Sequence, residues 1–143
     1  MTDIRRKRLS WEQTAINLAH NIADYRSEDP YVQVGAVVVK NDNSLLVGYN
    51  GAPSGIEINW ADRDARRDRV LHAEANVLNY VMPGEAKILA CTHLPCKECI
   101  KIIAQKKISM VYFSDVLKNY DSKLTFDLAR EFGIILNKVH AHV

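Results

Sequence analysis

The side chains that could carry out chemistry in this sequence are one histidine, one glutamate and two cysteines: His72, Glu74, Cys96 and Cys99. The two cysteines are two residues apart, so both thiolates can reach one metal ion from the first turn of a helix. Pro95 stands just before them, and proline is favoured where a helix begins. The positive end of a helix lowers thiol pKa values, which favours the deprotonated ligands that a metal needs. The spacing therefore predicts a metal site, with zinc as the ion.

Other interpretations of the cysteine pair stay open at this point. The chain has three cysteines, an odd number, and its basic N-terminus is not followed by the apolar stretch of a secretory signal. We therefore expect a cytoplasmic protein without a disulfide framework. The pair could instead be packed as small apolar side chains. A closed structural zinc site would need a fourth donor, for which Cys91 and His93 are the candidates.

His72 is the predicted third ligand, and Glu74 is predicted to handle protons. Residues two apart point to different sides of a helix, yet they converge on a point beyond its start because side chains tilt toward the N-terminus. Three protein ligands leave a tetrahedral zinc ion with one position for water, whose pKa falls to about 7. We therefore expect two helix starts to face one ion, with Glu74 beside it and not bound to it.

The rest of the chain alternates between helical and extended patterns. A capping box at Ser10 opens the first helix, Pro30 follows its end, and two β-rich runs separated by Asn41–Asn43 form a hairpin signature. The order predicts a single α/β domain over residues 1–143, with a mixed five-stranded sheet covered by helices on both faces. The predicted helices are 11–25, 72–81, 95–107 and 122–133, and the strands are 33–40, 44–50, 86–90, 109–113 and 134–139. Segment 51–69 is predicted as a surface loop, in which a helical turn is an open alternative.

Composition excludes several classes of protein. The 143 residues are 48% hydrophobic and 25% charged, and no window approaches the roughly 18 apolar residues of a membrane-spanning helix. The formal net charge of +2 is too small for a general nucleic-acid-binding surface. We therefore expect neither a membrane nor a nucleic acid as partner. Basic residues do cluster at 5–8 and 63–69, where a solvated surface and a phosphate contact are both consistent with the pattern.

The motifs His72-Ala73-Glu74 and Pro95-Cys96-Lys97-Glu98-Cys99 match the H-x-E and P-C-x-x-C signature of zinc-dependent nucleobase deaminases. Within that superfamily the chain most resembles the deoxycytidylate deaminases, over about residues 15–132. The resemblance includes "RSEDPYVQVGA" at 26–36, "GYNG" at 48–51, "HAEAN" at 72–76, "LPCKEC" at 94–99 and "FSD" at 113–115. It implies a cytidine deaminase-like three-layer α-β-α sandwich.

The resemblance also implies a reaction, the hydrolytic deamination of dCMP to dUMP and ammonia. In the family a zinc-activated water attacks C4 of cytosine, while the glutamate, here Glu74, moves protons to N3 and to the departing amine. One zinc ion per subunit is expected, because the 51–71 segment lacks the extra cysteine that many members place before the histidine. The alternatives are another zinc deaminase, acting on cytidine, guanine or tRNA adenosine, and a noncatalytic zinc-binding regulatory module.

Contacts with the substrate are predicted less directly. By resemblance, Asn50 binds the sugar or the base; the backbone N–H of Ala73, at a helix start, is a suitable donor to the base carbonyl. A 5′-phosphate needs fixed cations, and Arg26 is the first choice because a guanidinium binds phosphate in two-point fashion. Ser114, at the end of a strand, and Tyr120 complete the predicted substrate-binding set. Lys118 and the arginines of 63–69 are secondary candidates for the phosphate.

Regulation and assembly are implied by the resemblance alone. Members of the family are commonly homohexamers that dCTP activates and dTTP inhibits, and Mg²⁺ would accompany these triphosphate effectors. The segment expected to contact the effectors comprises Gly48, Tyr49, Asn50 and Gly51.

Overall fold

The computed structural model describes residues 4–118 and 120–141. The helices in those ranges are α1 (Trp11–Arg26), α2 (Arg63–Arg69), α3 (Ala73–Leu78), α4 (Lys97–Gln105) and α5 (Lys123–Glu131). The strands are β1 (Gly35–Lys40), β2 (Leu45–Tyr49), β3 (Ala86–His93), β4 (Met110–Asp115) and β5 (Ile135–Lys138). None of the helices in those ranges combines the length and the apolar character needed to cross a membrane.

The five strands form one mixed sheet in the order β2-β1-β3-β4-β5. β1 is antiparallel to both β2 and β3, whereas β3, β4 and β5 run parallel to one another. Parallel neighbours need a crossover connection, which α4 supplies between β3 and β4 and α5 between β4 and β5. The carboxyl ends of β3 and β4 therefore lie side by side, and the chain leaves β3 directly into the Cys-x-x-Cys segment.

Alternate residues of the central strands pack into two separate cores. Val37 and Val39 of β1 and Ala90 of β3 face α1, where they contact Ile16 and Ala19. Side chains of the opposite parity face α3, α4 and α5 in a larger core, which includes Ala36, Val38, Val77, Leu78, Leu89, Cys91, Ile100, Ile103 and Val111. Because the central strands are buried on both faces, their sequences are continuous apolar runs. The predicted three-layer sandwich is confirmed.

Several boundaries differ from those predicted, for identifiable reasons. The polar segment 51–69 contains helix α2, which begins where the Asp62 carboxylate accepts a hydrogen bond from the N–H of Ala65 at 3.1 Å. No residue of α2 is buried, so the helix has no apolar stripe for a pattern to detect. The predicted helix at 72–81 ends at Leu78, and β3 continues past residue 90 to His93.

Glycine at position 48 lets β2 approach α3 closely. A Cβ atom at Gly48 would lie 2.7 Å from the carbonyl oxygen of Ala73 and 2.8 Å from the Cβ of Val77. Since both are atoms of a packed helix, a side chain here would displace α3. The glycine therefore fixes the distance between the sheet and the helix that carries His72 and Glu74 at its start.

Candidate metal centre

Two helix starts bring three potential metal ligands together. His72 is the N-cap residue of α3, Cys96 is the N-cap residue of α4, and Cys99 lies in the first turn of α4. The His72 Nδ1 atom is 3.4 Å from the Cys96 sulfur and 3.5 Å from the Cys99 sulfur. All three ligand atoms lie within 4.8 Å of one another. The structure thus assembles the His/Cys/Cys group from the residues that the spacing singled out.

The separations suit a tetrahedral zinc ion. With Zn–N and Zn–S bonds of about 2.0 and 2.3 Å, tetrahedral angles put the nitrogen and each sulfur about 3.5 Å apart, and the observed distances are 3.4 and 3.5 Å. Two thiolates and one imidazole are also a donor set that zinc prefers over harder cations. The residues present therefore fit zinc without rearrangement.

Hydrogen bonding prepares one of the two thiols for ligation. A hydrogen bond from the Cys99 thiol is the main cause that lowers the pKa of Cys96 to about 4, and His72 contributes to the same shift. The same pairing with Cys96, together with burial, raises the pKa of Cys99. The hydrogen bond to Cys96 also raises the pKa of His72. Hydrogen bonding within the group therefore favours the thiolate form at Cys96.

Glu74 is buried beside the three ligands, in the first turn of α3. Glu74 is only 4% exposed, and its Oε2 atom lies 3.3 Å from the Cys99 sulfur. Burial is the main cause that raises the pKa of this carboxyl group. Within the described ranges Glu74 forms no salt bridge. A buried carboxyl group next to a metal-binding group is suited to accepting and releasing a proton.

The alternative interpretations of the cysteines lose support. Cys91, Cys96 and Cys99 are all free thiols, so none of them forms a disulfide. Cys91 belongs to the apolar core between the sheet and α3, and His93 directs its Nδ1 atom to the Thr92 hydroxyl at 2.8 Å. In the part of the chain that the structure describes, the single group with metal-ligating geometry contains neither of them.

A pocket of about 270 Å³ opens onto this group. Two of the ligands, His72 and Cys96, line it together with Glu74. Its walls come from the segment after α1, the end of β2, α2, the end of β3 and the segment after β4. The remaining lining residues are Asp29, Tyr31, Val32, Val34, Asn50, Arg66, Arg67, Val70, Ala73, His93, Leu94, Leu117 and Tyr120.

Asn50 is held rigidly in the pocket wall. Its Oδ1 accepts hydrogen bonds from the Ser27 hydroxyl at 2.5 Å and the N–H of Val34 at 2.9 Å, and its Nδ2 donates to the carbonyl of Val32 at 2.8 Å. An amide nitrogen carries two hydrogens. Within the described ranges the second one has no protein acceptor and is available to a ligand.

Ala73 and Tyr120 also lie at the pocket. Ala73 begins α3, so its N–H belongs to the first turn, whose donors have no acceptor within the helix. The Tyr120 hydroxyl accepts a hydrogen bond from the N–H of Lys97 at 3.0 Å and is 2.8 Å from the Thr125 hydroxyl. Tyr120 therefore links the start of α4, next to Cys96, to α5.

Two residues predicted to bind substrate lie elsewhere. Arg26 ends α1 with its guanidinium carbon 5.9 Å from the ring centre of Tyr49, and it does not line the pocket. The Ser114 hydroxyl donates to the carbonyl of Val139 at 2.6 Å and is 3.0 Å from His20 Nε2. Since alternate residues of a strand face opposite sides, Ser114 faces α1, on the side of the sheet away from the metal ligands.

The "GYNG" segment, at the end of β2, contacts α3 and the residue before His72. Gly48 contacts the helix, and the carbonyl of Tyr49 accepts a hydrogen bond from the Asn76 side chain at 3.0 Å. Gly51 pairs with Leu71, the residue before His72. Three of the four residues predicted to contact effectors thus contact the helix that bears His72, or the residue just before it.

One pocket feature was missed from the sequence, the pairing of Tyr31 with Arg66. The Arg66 guanidinium carbon lies 4.1 Å from the centre of the Tyr31 ring, and both residues line the pocket. Arg66 appeared only among the secondary phosphate candidates. The available signal was an aromatic residue next to Pro30 together with an arginine cluster, but nothing in the spacing indicates that the two segments meet.

The sequence model for the cytidine and deoxycytidylate deaminase zinc-binding region matches residues 9–115. Among curated relatives, the ComE operon protein 2 of Bacillus subtilis (strain 168) is 32% identical over 142 residues, covering 93% of this chain and 73% of the relative. The deoxycytidylate deaminase of Mus musculus is 34% identical over 143 residues, covering 87% and 78%.

Solved structures give the same result. The dCMP deaminase from the cyanophage S-TIM5, in complex with dCMP and dUMP, superposes with a TM-score of 0.75 at 31% identity, covering 92% of this chain and 100% of that one. The resemblance inferred from the motifs is confirmed: the chain belongs to the cytidine and deoxycytidylate deaminase family.

Proposed function

We propose that this chain, acting as a single domain, catalyses the hydrolytic deamination of dCMP to dUMP and ammonia. The observation that carries the proposal is the position of Glu74, buried in the pocket wall with its Oε2 atom 3.3 Å from a sulfur of the His/Cys/Cys group. Support for the substrate comes from the cyanophage relative, whose structure contains dCMP and dUMP.

His72, Cys96 and Cys99 would hold one zinc ion. When bound, zinc would supply Lewis-acid activation of water at neutral pH. The deprotonated Cys96 thiolate and the neutral nitrogen of His72 are the forms needed for ligation, and the Cys99 proton is released when the ion binds. Of the three, Cys99 is the most buried, so the open side of the group is the side toward the pocket.

Glu74 would move the protons of the reaction. One carboxylate oxygen accepts a proton from the attacking water and delivers it to N3 of the cytosine. The oxygen of the water bonds to C4. Glu74 then takes the second proton of that water from the C4 hydroxyl and passes it to the amine, and the C4–N4 bond breaks. Ammonia leaves and the base becomes uracil, so one water is consumed for each ammonia released. A positioned proton shuttle of this kind is worth roughly 10²–10⁴-fold in rate.

Asn50 and Ala73 would orient the nucleoside. The free Nδ2 hydrogen of Asn50 is a donor to the sugar or the base, and its other bonds, to Ser27, Val32 and Val34, prevent the amide from rotating. The N–H of Ala73 lies one residue before Glu74 and would donate to the base carbonyl. Tyr120 would contribute by holding the start of α4, with its ring at the pocket surface.

Arg66 and Arg67 are the proposed phosphate ligands. Both line the pocket, and neither forms an ion pair with a carboxylate in the described part of the chain. The carboxylate of Asp29, which also lines the pocket, accepts the backbone N–H groups of Tyr31 and Val32. A cation–π contact with the Tyr31 ring and a hydrogen bond from Nη1 to the carbonyl of Trp60 at 3.5 Å hold the Arg66 guanidinium. A fixed, unpaired guanidinium at a pocket rim is suited to a phosphate monoester.

Replacing Arg66 by alanine should raise KM for dCMP by about 10- to 100-fold, the loss of a charged hydrogen bond, and leave the activity on deoxycytidine unchanged. Arg67→Ala should act in the same direction. Steady-state kinetics with both substrates measure the effect. Arg69→Ala is the matched control, because Arg69 is on the same helix but donates to the carbonyl of Ala65 and does not line the pocket. Equal losses on dCMP and deoxycytidine would contradict the phosphate role.

Ammonia release from dCMP, CMP, deoxycytidine, cytidine and guanine tests the proposed function as a whole. We expect dCMP to be the preferred substrate by kcat/KM. Preference for guanine or free cytidine would identify another deaminase of the same family, and no activity on any of them, with zinc present at one ion per subunit, would favour a noncatalytic module.

The proposal extends to regulation by dCTP as activator and dTTP as inhibitor, with Mg²⁺ accompanying the triphosphates, in a homohexamer. It is supported by the resemblance of the "GYNG" segment and by the contacts of Gly48 and Tyr49 with α3, through which an effector could shift His72. A dCMP saturation curve unaltered by dCTP and dTTP would refute the regulation without affecting the proposed reaction.

A further inference from the structure

His93 lies in the pocket but belongs to neither the metal group nor the phosphate site. It ends β3, pairs in register with Asp115 of β4 and stands three residues before Cys96. It has the same parity along β3 as Leu89 and Cys91, so it faces the side of the sheet that carries the metal ligands. Its side chain is half-buried and lines the pocket. The imidazole therefore lines the same pocket as Glu74 and the ligands His72 and Cys96.

The neighbouring Thr92 hydroxyl determines which ring nitrogen of His93 carries the proton. Thr92 is 1% exposed, and its hydroxyl accepts a hydrogen bond from the N–H of Gly35 at 3.1 Å and lies 2.8 Å from His93 Nδ1. A hydroxyl has one proton to donate. In the described ranges the acceptor available to the Thr92 hydroxyl is His93 Nδ1, because its other partner, the N–H of Gly35, is itself a donor. Thr92 therefore donates, and Nδ1 of His93 accepts.

A neutral imidazole that accepts at Nδ1 carries its hydrogen on Nε2. Burial lowers the pKa of His93, which favours the neutral ring. The nearby ionisable groups are Asp115 and His20, and neither of them is hydrogen-bonded to His93. Within the described ranges Nε2 has no protein partner. Every buried side-chain nitrogen and oxygen there does have a partner, so Nε2 is not buried. The Nε2–H group is therefore open to the pocket.

We propose that His93 is a fixed Nε2–H donor that binds an oxygen of the nucleoside, set in this tautomer by Thr92. The inference rests on the proposed function for the identity of the ligand. The acceptor is an oxygen of the sugar or the base, since Arg66 and Arg67 already supply the cations for the phosphate. The contact would add a neutral hydrogen-bond donor to the groups that determine the specificity of the pocket.

Two amide substitutions separate this role from a structural one. In His93→Gln the amide nitrogen reaches the place of Nε2, whereas in His93→Asn the amide reaches only the place of Nδ1. We expect kcat/KM for dCMP to fall by less than about threefold in His93→Gln and by about tenfold or more in His93→Asn, mainly through KM, the effect of losing one hydrogen bond. Equal losses, or a greater loss in His93→Gln, would overturn the proposal, because a ring needed only as a partner for Thr92 is better replaced by asparagine.

Matched controls and a second measurement keep the result interpretable. The same pair of substitutions at the exposed His140 should leave kcat/KM unchanged. Nitrogen-15 NMR of the zinc-loaded protein, with the His93 signal assigned by its absence in His93→Gln, should report a proton on Nε2; a proton on Nδ1 would overturn the proposal without any reference to activity. If the unaltered protein did not deaminate dCMP, the proposed function would fail, and the NMR spectrum would still decide the tautomer.

The acceptor oxygen follows from one further substrate. With 2′,3′-dideoxycytidine 5′-monophosphate, an unchanged penalty in His93→Asn places the acceptor on the base carbonyl or the ring oxygen of the sugar, and a penalty that disappears identifies the 3′-oxygen. Either result supports His93 Nε2–H as the hydrogen-bond donor.

Discussion

Glu74→Gln is expected to bind zinc normally and to lose roughly 10²–10⁴-fold in kcat. Glutamine has the shape of glutamate, so the buried site should fill as before, and its amide can still pair with the Cys99 sulfur that the carboxylate now contacts. It cannot accept a proton from water and return it to the base. The measurement is the rate of ammonia release from dCMP at saturation, together with the zinc content of the same sample.

Glu98→Gln is the matched control for this substitution. Glu98 lies between the two cysteines in the sequence, but its carboxylate is exposed and pairs with Lys101 at 2.6 Å on the outer face of α4. We expect it to keep both the metal and the activity, because an exposed pair of this kind contributes at most about 1 kcal/mol to stability. An active, zinc-loaded Glu74→Gln protein would exclude Glu74 as the proton carrier.

Cys96→Ser and Cys99→Ser are expected to lose the metal itself, and the activity with it. A hydroxyl is a poor zinc ligand beside a thiolate, and two remaining donors do not form the site that two helix starts now assemble. In the unaltered protein, zinc at about 1,000 times its dissociation constant should stabilise the fold by about 4 kcal/mol. Both serine variants should lose this zinc-dependent stabilisation, as measured by thermal unfolding with and without added zinc.

The third cysteine provides the control. Cys91→Ala should lose stability, since Cys91 is buried in the core, but it should retain one zinc ion per subunit. Loss of zinc from Cys91→Ala, or full zinc binding by either serine variant, would show that the ligands are not the three that lie together here.

The metal group could be predicted from sequence because each of its parts is a local pattern. Cys96 and Cys99 are fixed relative to each other by a helical turn, and His72 and Glu74 by another. The two turns are brought together by packing between segments that are far apart in the chain. The alternating apolar residues of β1 and β3 direct this packing, because they bury α3 and α4 on the same face of the sheet.

The substrate pocket was less predictable because its walls come from segments far apart in the chain. Tyr31 and Arg66 form a cation–π contact in the pocket wall, although the 34 residues between them include two strands. Arg26 was favoured because of its place in "RSEDP", yet the end of α1 directs it to Tyr49. Ser114 was placed at the correct strand end, but the face of a residue depends on the register of the strand, and a one-residue difference reverses it.

The zinc K-edge absorption spectrum of the zinc-loaded protein reports which atoms surround the ion. We expect two sulfur atoms at about 2.3 Å, one imidazole nitrogen at about 2.0 Å and one further light atom from solvent. A third sulfur or a second imidazole in the shell would mean that Cys91 or another protein donor closes the site, and the proposed water-dependent chemistry would then have no place to occur.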